Sequence, residues 1–164
     1  MTKIHKIVVS SVLFLCFFPF PDVKSAEKEE RVFQLAAKRI KNVKWDKKSI
    51  IAVDINCDGN KDYALLGKSK QGVTVALIVG PFSEKSRIES FEFFVGKPWQ
   101  DSLCKLPARL EIRSLDYDPA EMVGKLPGFR RSKKCNAFCL ADNTCDSFHF
   151  YWDHQTNTLA WWRL

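Results

Sequence analysis

The sequence SIIAVDINCDGNKDYALLGKSKQGVTVALIVG, residues 49–80, decides the fold. Residues 49–53 are apolar and β-branched, residues 62–66 form a short second run, and residues 73–79 are strongly β-forming. Lysine, serine, glutamine and glycine at positions 68–72 form a turn that joins the last two runs as a hairpin. The stretch therefore predicts a strand, an acidic loop, a second strand and a hairpin to a third.

The sequence on either side predicts one helix and further strands. From residue 27 to about 43, apolar residues recur at helical spacing and charges fill the opposite face, which is typical of an amphipathic helix. Residues 116–134 are rich in turn-forming residues. Later strands are predicted at residues 88–95, 108–113, 135–140, 145–152 and 159–163. We therefore predict one α+β domain, with an N-terminal amphipathic helix packed on a mainly antiparallel β-sheet of about six to eight strands.

The N-terminus has the features of a secretory signal peptide. Lys3 and Lys6 make the first residues positive, and residues 7–20 form an apolar run. This run is too short to span a bilayer, which needs about 20 apolar residues. Ser25, with Val23 two positions before it, suits cleavage by signal peptidase after Ser25.

Cleavage there divides the chain into a signal peptide, residues 1–25, and one exported domain, residues 26–164, that is periplasmic or secreted. A retained N-terminal anchor is the first alternative. A lipid attached to Cys16 is the second, and the bulky Leu15 before this cysteine argues against it.

Five cysteines remain after cleavage. In an oxidising compartment this odd number implies up to two disulfides and one free or intermolecular thiol. The last predicted hairpin favours a bridge between Cys135 and Cys145 and leaves Cys57 to pair with Cys104, although Cys139 also lies close to Cys145 along the chain.

An acidic loop follows the first predicted strand. Its side-chain oxygens alternate along the sequence, and Gly59 suits a sharp backbone turn. Calcium takes six to eight oxygen ligands, and three carboxylates that are brought together repel each other unless a cation offsets their charge. The loop therefore predicts a calcium site, and a polar turn without an ion is the alternative. The predicted metal ligands are Asp54, Asn56, Asp58, Asn60, through its carbonyl, and Asp62.

The pattern D-x-N-x-D-G-x-x-D between two strands resembles the calcium loop of FG-GAP and VCBS repeats, the integrin-α type of β-propeller blade. It occurs once, within residues 49–80. Leu65 stands where an EF-hand has its bidentate glutamate, so the loop is not of that type. The chain is too short for several blades, and the resemblance therefore implies a calcium loop and a hairpin without a propeller.

The chain carries a net charge of +7, and its abundant aromatic residues indicate a packed domain and exclude a disordered tail. An exported basic protein meets anionic polymers and acidic proteins, and we do not expect nucleic acid as its partner. We expect the partner to be a protein or an anionic surface polymer, with a solvated surface that aids solubility as the alternative. One basic group lies within residues 38–48. The predicted binding residues are Arg130, Arg131, Lys133 and Lys134.

Residues 146–154 concentrate reactive side chains. On a strand, Ser147, His149 and Tyr151 share one face, and the intervening aromatic residues share the other. No nucleophile elbow or third catalytic partner accompanies the Ser–His pair, so we predict no catalytic residue. The resulting hypothesis is an exported binding domain, stabilised by calcium and disulfides, and a small secreted hydrolase that uses Ser147 or His149 is the alternative.

We predict that the mature protein begins at Ala26, because cleavage after Ser25 satisfies the small-residue requirement of signal peptidase. N-terminal sequencing of the natively exported protein measures this directly. An intact Met1 or a lipid on Cys16 would contradict it.

Overall fold

The computed structural model describes residues 23–164. Of the predicted signal peptide, only residues 23–25 are described, and they lie in the first turn of the long helix. No helix within the described residues is long and apolar enough to cross a membrane. The elements are α1 (Val23–Arg39), β1 (Lys44–Val53), β2 (Asp62–Lys68), β3 (Gly72–Ile78), β4 (Ile88–Val95), β5 (Ser102–Leu103), β6 (Arg109–Leu115), α2 (Ala120–Val123), β7 (Ser132–Ala141), β8 (Phe148–Asp153) and β9 (Thr158–Trp162).

The nine strands of the described residues form two sheets. The first has the order β1-β2-β3-β4-β5 and the second has the order β6-β7-β8-β9. All neighbouring strands are antiparallel except β4 and β5, which are parallel. The prediction of an α+β domain with an N-terminal helix on a mainly antiparallel sheet is confirmed. The division of the strands into two sheets is a further feature that the sequence pattern did not indicate.

The helix covers the outer face of the first sheet. In β2, alternation directs Tyr63 and Leu65 towards the helix and Ala64 and Leu66 towards the second sheet. β2 is buried on both faces, which is why it reads as a continuous apolar run and not as an alternating one. The residues that the helix contributes to this contact are Val32, Leu35 and Ala36, all buried.

Aromatic rings fill the space between the two sheets. The Phe93 ring of β4 lies 4.4 Å from Phe148, 5.9 Å from Phe150 and 5.8 Å from Trp161, measured between ring centroids. Phe138 stacks on Phe150 at 4.6 Å. Phe93, Phe138, Phe148 and Phe150 are fully buried. These contacts hold the sheets face to face, with the helix as a third layer.

The outer face of the second sheet is covered by residues 116–131. Tyr117 lies 6.4 Å from Trp162, and Phe129 lies 5.8 Å from Tyr151, between ring centroids. Trp162 and Tyr151 are both buried. The face of β8 that carries His149 and Tyr151 is therefore largely closed from solvent, because the long connection between β6 and β7 folds across it.

Close backbone contact fixes this covering segment. The His154 amide donates to the Gly128 carbonyl at 3.1 Å. Gly128 has φ of 64°, and a Cβ at this position would collide with the Asp153 carboxylate. Only glycine therefore fits there.

Two disulfides are present, which is the number expected, and each joins a loop of the first sheet to the second sheet or its connecting loop. Cys57 is bonded to Cys135 and Cys104 to Cys145, with Cα–Cα distances of 5.5 and 5.9 Å. Of the described cysteines, Cys139 is free, and it is buried. The two bridges indicate an oxidising compartment.

The pairing of Cys135 with Cys145, and of Cys57 with Cys104, was wrong. The register of β7 against β8 places Cys139 opposite His149, whereas Cys145 precedes β8. Cys135 lies at the far end of β7 from the hairpin turn, so the two cysteines cannot meet.

A buried carboxylate organises the turn before β8. Asp142 accepts hydrogen bonds from the amides of Cys104 at 2.6 Å and Lys105 at 3.2 Å through one oxygen, and from Thr144 at 2.8 Å and Cys145 at 2.9 Å through the other. Burial alone would raise the pKa of Asp142, but the four backbone hydrogen bonds outweigh it and lower the pKa. The carboxylate thus fixes the two ends of the Cys104–Cys145 bridge.

We expect Asp142→Ala to lower the free energy of unfolding by about 3 kcal/mol at pH 7, because it leaves four part-buried amide donors without their acceptor. Asp146→Ala removes an exposed carboxylate from the same loop and should change stability by less than about 0.5 kcal/mol. Urea unfolding measures both.

The effect of Asp142→Ala should depend on pH. Because the pKa of Asp142 is lowered in the folded state, its contribution is present above the unfolded-state pKa of about 3.9 and is lost as the pH falls through the lower folded-state value. The difference between wild type and Asp142→Ala should therefore shrink below about pH 4. An unchanged difference at low pH would contradict the role of the ionised carboxylate.

Candidate functional site

The acidic loop connects β1 to β2 and turns back on its own backbone. Asp54 accepts hydrogen bonds from the amides of Asp58 and Gly59, each at 3.1 Å. The Asn56 side chain bonds to Asp58, with its amide nitrogen 3.1 Å from the Asp58 carboxylate. Cys57 and Gly59 have φ of 59° and 83°, and these two left-handed residues produce the sharp turn. Asp54, Asn56 and Asp58 are therefore brought together, as the sequence predicted.

Asp62 begins β2 and lies beneath the loop. It is fully buried, and its two oxygens accept hydrogen bonds from the amides of Ile55 at 2.9 Å and Gly80 at 2.7 Å. Gly80 follows the β2–β3 hairpin, so this carboxylate links the start of the loop to the end of the next strand. Sequence reasoning missed the role of Gly80, since no motif marks a glycine that acts through its backbone amide.

The loop carboxylates interact electrostatically. The pKa of Asp62 is raised to about 6: burial is the main cause, the charges of Asp58 and Asp54 add to the rise, and the two backbone hydrogen bonds oppose it. Asp62 is thus close enough to both of the other aspartates for their charges to disfavour its ionisation. A cation at the loop would reverse this effect.

The donor set of the loop fits a hard cation, because all of its candidate ligands are carboxylate, amide or backbone oxygens. The backbone amide of Asn60 donates a hydrogen bond to the Asp58 carboxylate at 2.7 Å. The backbone carbonyl of Asn60 is the oxygen predicted as a ligand. Within residues 23–164, however, no three His, Cys, Asp or Glu side chains converge closely enough to hold a metal ion. The structure brings the carboxylates of Asp54 and Asp58 and the side-chain amide of Asn56 together near the surface. The third carboxylate, that of Asp62, is buried below them.

A disulfide places basic residues beside this loop. Cys57, at the centre of the loop, is bonded to Cys135 of β7, and Lys133 and Lys134 directly precede Cys135. Both lysines are exposed. The sequence did not predict this juxtaposition, because it depends on the true disulfide pairing.

The two arginines of the predicted binding group lie just before β7 and are exposed. Arg131 forms an ion pair with Asp116, with 2.7 Å between its Nε and the carboxylate. Burial lowers the pKa of His154, and the Arg130 guanidinium lowers it further. Asp116 thus partly neutralises the charge of Arg131, whereas Lys133 and Lys134 form no ion pair within the described residues.

The predicted alternation of β8 is confirmed, with Phe148, Phe150 and Trp152 in the core between the sheets. On the other face, the His149 ring stacks on Trp162 at 4.2 Å between centroids. Burial lowers the pKa of His149, and the Arg113 guanidinium adds to this.

Ser147 precedes the strand, and in the described part of the chain no hydrogen bond joins it to His149. The free thiol of Cys139 accepts a hydrogen bond from Arg113 Nε at 3.2 Å on the same face. This face is packed around aromatic rings and has no preformed Ser–His pair.

A cleft with a volume of about 670 Å³ opens at the end of the sandwich, where the segment leading into β6 passes β1 and β2. Its rim carries Lys44, Asp46 and Lys68. Sequence reasoning missed it, because its walls come from segments far apart in the chain. The apolar residues that line it are Trp45, Leu66, Val73, Leu106, Pro107 and Ala108.

Comparison of the chain with protein-family models, with curated proteins and with solved structures finds no match.

Proposed function

We propose that this protein is an exported domain that works by binding and not by catalysis, and that calcium in the acidic loop together with the two disulfides stabilises it. Its partner is an anionic surface polymer or an acidic protein surface. The observation that carries the proposal is the Cys57–Cys135 bridge, which joins the centre of the acidic loop to the basic start of β7.

The charges on the two sides of this bridge have opposite signs. Without a cation, Asp54, Asp58 and Asp62 give the loop a charge of about −3, which weakens attraction of an anion to Lys133 and Lys134. A bound calcium ion offsets two of these charges. The surface around the bridge then becomes more favourable to an anionic partner, so calcium and partner binding are linked.

The proposed ligands are those of the loop: Asp54, Asn56, Asp58, the carbonyl of Asn60 and Asp62. Burial is the main cause that raises the pKa of Asp62 to about 6, and support for the proposal comes from the smaller rise that the charges of Asp58 and Asp54 add. Calcium binding to the ionised loop would offset this unfavourable interaction. The unfolded chain cannot hold these residues together, so binding is coupled to folding.

We expect calcium to raise the thermal stability of the exported domain. Extracellular calcium sites typically bind at ~10⁻⁴ to 10⁻³ M, so about 5 mM calcium should stabilise the fold by about 1–2 kcal/mol, and chelator should reverse this. Magnesium should stabilise less, because it requires stricter octahedral geometry and loses water reluctantly. Scanning calorimetry in calcium, magnesium and chelator measures the effect.

Asp58→Ala should abolish the calcium response and leave a folded domain, whereas the exposed Asp146→Ala should keep the full response. Equal melting temperatures in chelator and in excess calcium would show that the loop is only a turn. That result would also remove the basis of the FG-GAP resemblance.

We also expect calcium to strengthen binding to a sulfated polysaccharide such as dextran sulfate. The double variant Lys133→Ala/Lys134→Ala should weaken binding roughly three- to thirtyfold, because each of the two exposed charges contributes about 0.3–1 kcal/mol. Isothermal titration calorimetry at two salt concentrations measures this, since a charge-driven interaction weakens as salt is added.

The control is Lys38→Ala/Lys41→Ala, which removes the same charge near the end of α1. It should bind like wild type. Equal weakening by both double variants would mean that net charge alone drives binding, and retention of binding by the Lys133/Lys134 variant would exclude this surface.

A further inference from the structure

The cleft at the end of the sandwich is a second concave site, separate from the acidic loop and from the basic start of β7. Its volume of about 670 Å³ falls in the range of small-molecule sites, roughly 300–1,000 Å³. We propose that it binds an amphipathic carboxylate of the fatty-acid type, with the acyl chain in the cleft and the carboxylate between Lys44 and Lys68. This inference does not depend on calcium or on the anionic partner proposed above.

The floor of the cleft is an open end of the hydrophobic core. Leu66 and Val73 line it, and both belong to the cluster packed between the two sheets. Leu106 also lines the cleft and is 42% exposed. An exposed large apolar side chain in the lining of a cleft favours an apolar occupant, because burying this surface stabilises the complex by roughly 25 cal/mol per Å².

The charges at the rim select the head group. Lys44 of β1 and Lys68 of β2 are direct register partners, so their side chains start only about 5 Å apart. Asp46 pairs with Leu66 in the same register. Because residues two apart on a strand share a face, both lysines lie on the same face of the sheet as Leu66. Like charges in directly opposed positions are destabilising in an antiparallel pair, and an anion between them would relieve the repulsion.

Neither lysine is neutralised in the part of the chain that the structure describes. Lys44 and Lys68 form no ion pair there, although other lysines and arginines do. Asp46, the acidic residue of the rim, accepts a hydrogen bond from the Lys48 amide at 2.9 Å. Two ammonium groups against one carboxylate leave the rim with a net positive charge.

Trp45 also lines the cleft, but its ring packs on the helix side of the first sheet and takes no part in the proposed head-group contact. The combination of an apolar floor, two adjacent ammonium groups and limited size excludes a large polar polymer as the occupant. It fits a single unbranched chain with a carboxylate at one end.

Titration of the folded domain with dodecanoate, below its micelle concentration and in chelator, tests the proposal by calorimetry. We expect saturable one-to-one binding, and weaker binding of dodecyltrimethylammonium, which has the same chain and the opposite charge. Lys44→Ala/Lys68→Ala should lower dodecanoate affinity about tenfold, the loss expected when a charged hydrogen bond of about 1.4 kcal/mol is removed. Lys48→Ala, also exposed and on β1, should bind normally.

The apolar part of the site is tested with Leu106→Glu, which should weaken dodecanoate binding more than tenfold. Met122→Glu is the matched control, because Met122 is also an exposed apolar residue but lies in α2. Circular dichroism confirms that each variant is folded. Absence of saturable binding, equal affinity for the cationic amphiphile, or equal loss in Leu106→Glu and Met122→Glu would overturn the proposal.

Discussion

The structure depends on the burial of aromatic rings between two sheets, with Phe93 at the centre. This ring contacts side chains of β8 and β9 at once, so β4 of the first sheet and the C-terminal strands of the second share one core. The apolar area removed from water there is the main force that holds the sheets together. The positions of the loops, and therefore of every candidate site, follow from this contact.

Much of the secondary structure was predictable because the signal is local. The β4 boundaries were predicted at residues 88–95, as observed, and the hairpin of β2 and β3 was predicted within two residues at each strand end. The helix was predicted at residues 27–43 but spans Val23–Arg39, with Asn42 at φ 63° in the connection that follows. Helix ends are set by a few backbone contacts and are weakly encoded in periodicity.

What the sequence could not predict depends on contacts between distant segments. The division into two sheets requires knowing which apolar faces meet, and periodicity does not carry that information. The packing of residues 116–131 over Tyr151 and Trp162 and the roles of the Gly80 amide and Asp142 belong to the same class. The acidic loop was recognisable, because its ligand-type residues are close in sequence, but the burial of Asp62 was not.

The two disulfides cross in the sequence, since Cys104 lies inside the loop closed by Cys57 and Cys135, and Cys145 lies outside it. A chain that is oxidised as it emerges into its compartment meets its cysteines in numerical order, and the first available pair is Cys57 with Cys104. That bond is non-native. If that bond forms, the native pattern is reached only through thiol–disulfide exchange, in which a free thiolate attacks the non-native bond.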